Sequence, residues 1–158
     1  MKKLLIAVLF TLAAMGIASA ATLALTGTIA KTADIVITPT AAASAIALTS
    51  SDYSSTKLKV ADAAVTTNCK AWTITASSAN TWELFLDGTT SAEDVPYVFY
   101  ITADNTPATV YVTSPSDLTE AFTNNKGSTN LDLMITYSAV TYSGGSYTDT
   151  ITVTVAAN

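Results

Sequence analysis

Three acidic residues lie close together in the middle of the chain, and carboxylates are side chains that bind Ca²⁺ or act as acid and base. They are Asp87, Glu93 and Asp94. Ca²⁺ takes several oxygen ligands, but this spacing does not match an EF-hand loop. Glycoside hydrolysis needs two carboxylates on either side of one bond, and no such pairing is evident from the spacing. We therefore predict neither a metal site nor a catalytic pair, although the sequence leaves Ca²⁺ binding open.

Nucleophilic catalysis is disfavoured by what the composition lacks. The chain has one cysteine, Cys69, and no histidine. Without histidine, a Ser-His-Asp triad, a Cys-His pair and a zinc–histidine site are excluded. A lone cysteine cannot form a disulfide within its own chain. Cys69 is predicted to be a small buried side chain, and a disulfide to a second chain is the alternative. We predict a protein that is not an enzyme and has no cofactor.

Aromatic side chains are the remaining candidates for contact with a ligand. Trp72 and Trp82 share the parity of their aliphatic neighbours, so both are predicted to belong to the core. Tyr100 and Tyr111 lie in alternating segments, where the opposite parity would expose them. These two tyrosines are the predicted ligand-facing aromatics. They support an alternative function, a secreted carbohydrate-binding or adhesion module that acts as a monomer.

All of these residues must be positioned by β-strands, because apolar and polar residues alternate through most of the chain. The clearest segment is 147–155, where apolar residues take one parity and threonines the other. Residues 131–137 repeat the pattern, and a Gly-Gly pair at 144–145 separates the two segments. This arrangement predicts an antiparallel hairpin with one apolar face.

Further segments of the same kind fill the middle of the chain, separated by Gly, Pro, Asn and Asp. We also expect a short strand at Ile46 and Leu48 and one helical turn from Leu118 to Phe122. Strands at this spacing, with no convincing helix, predict an all-β antiparallel sandwich. The other predicted strands begin near Leu23, Asp34, Leu58, Trp72, Trp82, Val95 and Thr109.

Asp149 breaks the pattern of the last segment, because it occupies the inward parity between Tyr147 and Ile151. An unpaired carboxylate in the interior would be costly. We therefore expect Asp149 at the rim of the sandwich, where it accepts N–H bonds from a neighbouring turn. Its predicted role is structural.

The N-terminus has the features of an export signal. Met1-Lys2-Lys3 is followed by an apolar run, and Ala18-Ser19-Ala20 fits a leader-peptidase site. The run is short for a membrane span, which needs roughly 20 apolar residues. We predict a signal peptide at 1–20, a single domain at 21–158 and no stable membrane insertion after cleavage. The expected location is the periplasm, the cell surface or the extracellular space.

The charge of the chain disfavours two kinds of partner, nucleic acids and anionic lipids. The full sequence has a net charge of −5, and loss of Lys2 and Lys3 with the signal peptide makes the mature chain more acidic. No basic stripe is available to contact phosphates, so nucleic-acid binding and attraction to anionic lipids are both disfavoured. The small number of charged residues suits an exported domain whose surface is rich in hydroxyl groups.

Both ends of the mature chain carry a family resemblance. The N-terminal Thr-Leu-Ala-Leu-Thr-Gly-Thr-Ile (22–29) and the closing Gly-Gly-Ser-Tyr-Thr-Asp-Thr-Ile-Thr-Val-Thr-Val (144–155) resemble the group of spore coat protein U and chaperone–usher fimbrial subunits. The resemblance implies an immunoglobulin-like sandwich that lacks one strand, which the next subunit supplies. Residues 21–30 would be the donor strand. The implied partners are identical or related subunits, with a periplasmic chaperone and an usher.

Strand donation also makes physical sense, because an extended peptide satisfies an open sheet edge and fills the apolar groove beside it. Leu23, Leu25 and Ile29 would fill the groove, and Gly27 would allow close backbone approach. The alternative is that the same segment pairs within its own chain and completes a monomeric sandwich.

Overall fold

The computed structural model describes residues 29–44, 46–48, 53–90, 93–123, 125–138 and 144–158. The predicted signal peptide and the donor residues Leu23, Leu25 and Gly27 lie outside the described residues. Within those residues the chain forms ten strands and one four-residue helix. They are β1 (Ala33–Pro39), α1 (Ala41–Ser44), β2 (Leu58–Thr67), β3 (Ala71–Ser78), β4 (Glu83–Leu86), β5 (Val95–Ala103), β6 (Thr106–Thr113), β7 (Thr119–Thr123), β8 (Gly127–Tyr137), β9 (Tyr147–Thr148) and β10 (Ile151–Ala157).

The strands form two antiparallel sheets. The larger sheet has the order β1-β2-β8-β5-β4-β9, and β6 pairs with β5 as a branch. The smaller sheet has the order β10-β3-β7. The prediction of an all-β antiparallel sandwich is therefore confirmed.

The core consists of the side chains that point inward from both sheets. The indole of Trp72 is fully buried and stacks on Phe122 with 4.0 Å between the ring centroids. Trp82 is buried and stacks on Phe99 at 5.8 Å. Burial of such large apolar surfaces is the main stabilising term in a fold of this kind. The prediction that both tryptophans belong to the core is confirmed.

The predicted hairpin between 131–137 and 147–155 is wrong. Strand β8 pairs with β2 and β5 in the large sheet, whereas β10 pairs with β3 in the small sheet. Alternation shows which side chains face the core, but both sheets of a sandwich face the same core. It therefore does not decide which strand is the neighbour.

Two shorter segments also differ from the sequence-based expectation. Residues 119–123 are strand β7, not a helical turn, and Phe122 lies opposite Trp72 in the neighbouring strand. Ile46 and Leu48 are not in a strand; they follow α1 and pack against the core. Short apolar segments are compatible with either structure, and tertiary contacts select one of them.

Six of the ten described strands follow the order of the immunoglobulin-like arrangement, in which one sheet holds strands A, B, E and D and the other holds C, F and G. In both chain order and sheet order, β1, β2, β8 and β5 occupy positions A, B, E and D. Strands β3 and β10 occupy C and F. Among the described residues, no strand occupies position G beside β10.

Candidate functional site

Strand β10 is paired along one edge. Its partner there is β3, in an uninterrupted register from Ile151 opposite Ser78 to Ala157 opposite Trp72. Within the described ranges, no strand pairs with its second edge. Such an edge presents a row of backbone N–H and C=O groups to any extended chain that can reach it.

Apolar side chains lie beside this second edge of β10. Val153 is buried, while Ile151 and Val155 on the same face of β10 are half-buried and pack against the core. On the large sheet, β1 lies against β10 and presents the half-buried Ile35. We call the second edge of β10, together with Ile35, Ile151 and Val155, the open edge.

A cavity lies at the N-terminal end of β10, between the two sheets. Its volume is about 190 Å³. A cavity of roughly 150 Å³ already admits a benzene-sized group, so this one can hold a large apolar side chain. Its lining is mainly aliphatic and consists of Ala43, Ile46, Val60, Leu84, Tyr97, Ile135, Asp149 and Ile151.

Asp149 stands at the polar end of this cavity, where the chain passes from β9 in the large sheet to β10 in the small sheet. Its Oδ1 accepts the N–H groups of Asn80 (3.0 Å) and Thr150 (2.6 Å). Its Oδ2 accepts the hydroxyls of Ser78 (2.6 Å) and Tyr97. The predicted rim position and the N–H bond from a neighbouring turn are both confirmed.

The same network changes the chemistry of Tyr97. Burial raises the pKa of its hydroxyl well above the usual range, and the hydrogen bond to the Asp149 carboxylate raises it further. Tyr97 therefore stays neutral and acts as a donor at any ordinary pH. The pair joins β5 to the crossing between the sheets.

The N-terminal part of the described chain leaves the domain at the opposite end of β10. Asn68 binds this segment twice: its Oδ1 accepts the N–H of Thr32 (2.9 Å), and its Nδ2 donates to Ala30 O (2.8 Å). The side chain of Ile29 is 84% exposed. Asn158, which follows β10, is held at the same end by Ala71 O (3.0 Å).

The two predicted ligand-facing tyrosines have different surroundings. Tyr100 is half-buried, with Lys57 Nζ 4.7 Å from its ring centroid and Thr136 Oγ1 3.3 Å from its hydroxyl. Tyr111 is also half-buried, but its ring packs edge-on against Phe122 at 4.9 Å. The ring of Tyr111 therefore packs against the core, whereas the ring of Tyr100 is covered by the side chain of Lys57.

The acidic loop and the cysteine have structural contacts. Asp87 Oδ1 accepts the N–H of Ser146 (3.0 Å), and Asp94 Oδ1 accepts that of Leu86 (3.3 Å). In the part of the chain that the structure describes, no group of three or more acidic or cysteine side chains has the arrangement of a metal site. Cys69 is buried, as predicted.

One charged group was missed by the sequence analysis. Lys59 Nζ lies 2.7 Å from Oδ1 of Asp132 and also contacts the carboxylate of Asp62. Hydrogen bonds to Asp132 and then to Asp62 raise the pKa of Lys59 well above its usual range. The available signal was the presence of Lys59 and Asp62 in one apolar strand and Asp132 in another. Nothing in the sequence showed that β2 and β8 are neighbours.

Comparison of the chain with protein-family models, with curated proteins and with solved structures finds no match. Across the described ranges, no helix has the length and apolar character needed to cross a bilayer. What the open edge can bind follows from its geometry. Backbone groups that no described strand pairs with, beside apolar side chains, suit an extended segment with apolar residues at every second position.

Proposed function

We propose that the protein is a non-enzymatic, exported structural subunit of a surface fibre or coat, assembled by strand donation. An N-terminal strand from one copy would complete the sandwich of the next. The observation that carries the proposal is the open edge of β10, at the position that strand G takes in an immunoglobulin-like sandwich.

Residues 21–30 have the composition that the open edge requires. Leu23, Leu25 and Ile29 share one parity, and Gly27 occupies the same parity without a side chain. The segment is long enough to lie along the seven residues of β10. Burial of three aliphatic side chains at roughly 1.5–3 kcal/mol each would stabilise the pairing by about 5–9 kcal/mol before the cost of ordering the strand.

The position of Ile29 favours donation to another copy over pairing within the chain. Ile29 leaves the domain at the end where β10 finishes. Its own preceding residues could reach the open edge only by running parallel to β10. A strand from another copy has no such restriction and could pair antiparallel, the slightly more stable arrangement.

Apolar exposure along the same side of the molecule supports association. Besides Ile29, the edge strand β1 exposes Ile37 (39%), which shares the face of Ile35 in the open edge, whereas Val36 points to the other face. An unpaired edge with exposed apolar residues is prone to aggregate before assembly. A periplasmic chaperone that covers the open edge, and an usher that orders the exchange, would meet this need.

The deciding experiment is the size distribution of the exported protein with and without residues 21–29. We expect the intact chain to form ladders and the deletion variant to fold with its chaperone without assembling. Replacement of Thr26 and Thr28 by serine is the matched control, because these residues lie on the other parity and should leave the ladders unchanged.

Two results would contradict strand donation. A single compact species from the intact chain, with lower thermal stability after the deletion, would mean that the segment completes its own sandwich. Glycan binding by a purified monomer, lost on substitution of Tyr100 or Tyr111 by alanine, would favour the carbohydrate-binding alternative.

A further inference from the structure

A β-bulge changes the direction of one lysine in strand β2. The register with β8 shifts between Lys59 and Ala61. In a regular strand, Lys59 would share the face of Ala61 and Ala63, which point into the core. The extra residue turns Lys59 to the opposite face, where it meets Asp62 and Asp132. Bulges commonly re-aim a side chain in this way.

Asp132 lies on the outer face of the large sheet and is nevertheless buried, with a side chain only 4% exposed. It stands directly opposite Asp62 in the β2–β8 register. The turn between β5 and β6 covers it, and Asn105 in that turn donates its N–H to Oδ2 at 3.0 Å. The register of β5 and β6 is irregular at Ile101–Ala103, next to this turn.

One amine therefore contacts two carboxylates in different environments. The Asp132 side chain is buried, with only 4% of it exposed. The Asp62 side chain is 55% exposed. This is the arrangement that a condensation requires: a nucleophile, a carboxyl carbon held beside it, and a second carboxyl that carries a proton.

We propose that Lys59 and Asp132 condense to an amide that cross-links β2 to β8. Because hydrogen bonds to both carboxylates favour the ammonium of Lys59, the reaction proceeds from the minority state in which its proton has crossed the 2.7 Å contact to the Asp132 carboxylate. That state holds an amine and a carboxylic acid. Nζ then bonds to Cγ of Asp132, and Asp62 carries a second proton from Nζ to the departing hydroxyl. The C–O bond breaks and one water is released. Ammonium and carboxylate yield amide and water, so no other reactant is needed.

The cross-link would join two central strands of the large sheet. The chain contains a single cysteine, so no disulfide within the chain can do this. A covalent tie between residues distant in sequence lowers the entropy of the unfolded chain, as a disulfide does. This inference concerns the fold of one copy and is independent of strand donation.

Mass spectrometry of the wild-type protein tests the proposal directly. We expect the intact mass to be lower than that of the sequence by one water. Trypsin cuts after lysine, so an unlinked chain yields peptides 58–59 and 60–70 and one that begins at Gly127. In the linked chain, residues 58–70 should remain uncut and joined to the peptide that begins at Gly127. A wild-type protein with its full mass and separate peptides would overturn the proposal.

Variants identify the atoms involved. Asp132→Asn keeps the acyl carbon but changes the leaving group, so it should lose one ammonia in place of one water. Lys59→Arg retains the charge and should keep its full mass. Asp62→Asn should form the link more slowly, and an unchanged rate would exclude Asp62 as the proton carrier. If Lys59→Arg does not fold, the wild-type peptide map still decides the proposal.

Discussion

The hydroxyl of Tyr97 donates a hydrogen bond to Oδ2 of Asp149. Tyr97 belongs to β5 in the large sheet, and Asp149 marks the crossing from the large sheet to the small one. Ser78, at the end of β3, donates to the same oxygen. One carboxylate thereby connects both layers of the sandwich next to the cavity at the start of β10.

Asp149→Ala should lower the melting temperature. The substitution leaves the hydroxyls of Ser78 and Tyr97 and the N–H of Asn80 without their acceptor. Unsatisfied groups of this kind cost about 1–3 kcal/mol in total, or roughly 5–10 °C for a domain of this size. Asp34→Ala is the matched control, because that exposed carboxylate accepts the N–H of its sequence neighbour Ile35 and, among the described residues, no other N–H. Equal melting temperatures for the wild type and Asp149→Ala would contradict the structural role.

Tyr97 should make the protein sensitive to alkaline pH. Its pKa in the folded state is raised above the ordinary value of about 10. Above that pH the unfolded chain releases the proton while the folded chain keeps it, so stability falls as the pH rises. Below about pH 10 this contribution is fully present. Thermal melts from about pH 8 to 11 should show a shallower decline for Tyr97→Phe than for the wild type, and equal slopes would be evidence against the shift.

The outcome for Asp149 shows what alternation can reveal. A carboxylate at an inward position predicted a rim site that accepts an N–H bond from a turn, and the structure confirms both. The same irregularity also marks the break between β9 and β10. This break is one reason why the predicted hairpin was wrong. A charged residue at a position where the alternation calls for an apolar one can therefore mark the point where the chain leaves one sheet for the other.

Other features could not be predicted from the sequence, because they depend on which residues are neighbours in space. The Lys59–Asp132 contact needs the β2–β8 pairing and a bulge, and neither follows from alternation. The open edge of β10 likewise depends on the order of strands in the small sheet. Parity was sufficient for the core positions of Trp72 and Trp82, because burial requires only that a side chain face inward.

The core and surface aromatics should differ sharply in their effect on stability. Trp72 is fully buried, stacks on Phe122 and donates Nε1–H to Asn125 O (3.1 Å). Trp72→Ala should cost about 3–5 kcal/mol. Tyr100→Ala should cost less, roughly 1 kcal/mol, because Tyr100 is half-buried. Chemical denaturation measures both values, and a similar cost for the two variants would contradict the assignment of Trp72 to the core.

If copies exchange strands, substitutions should be able to remove the donor role and the acceptor role of a copy separately. Leu25→Asp puts a charge on the donor strand, so that copy should accept a strand but not donate one. Val155→Asp puts a charge at the open edge, so that copy should donate but not accept. We expect no ladders from either variant alone and dimers from a mixture of the two, because each pair can form one junction and no more. Val36→Asp, at an exposed position of β1, should assemble like the wild type. Ladders from Leu25→Asp alone would exclude the N-terminal segment as the donor, since those copies would then be joining through another surface.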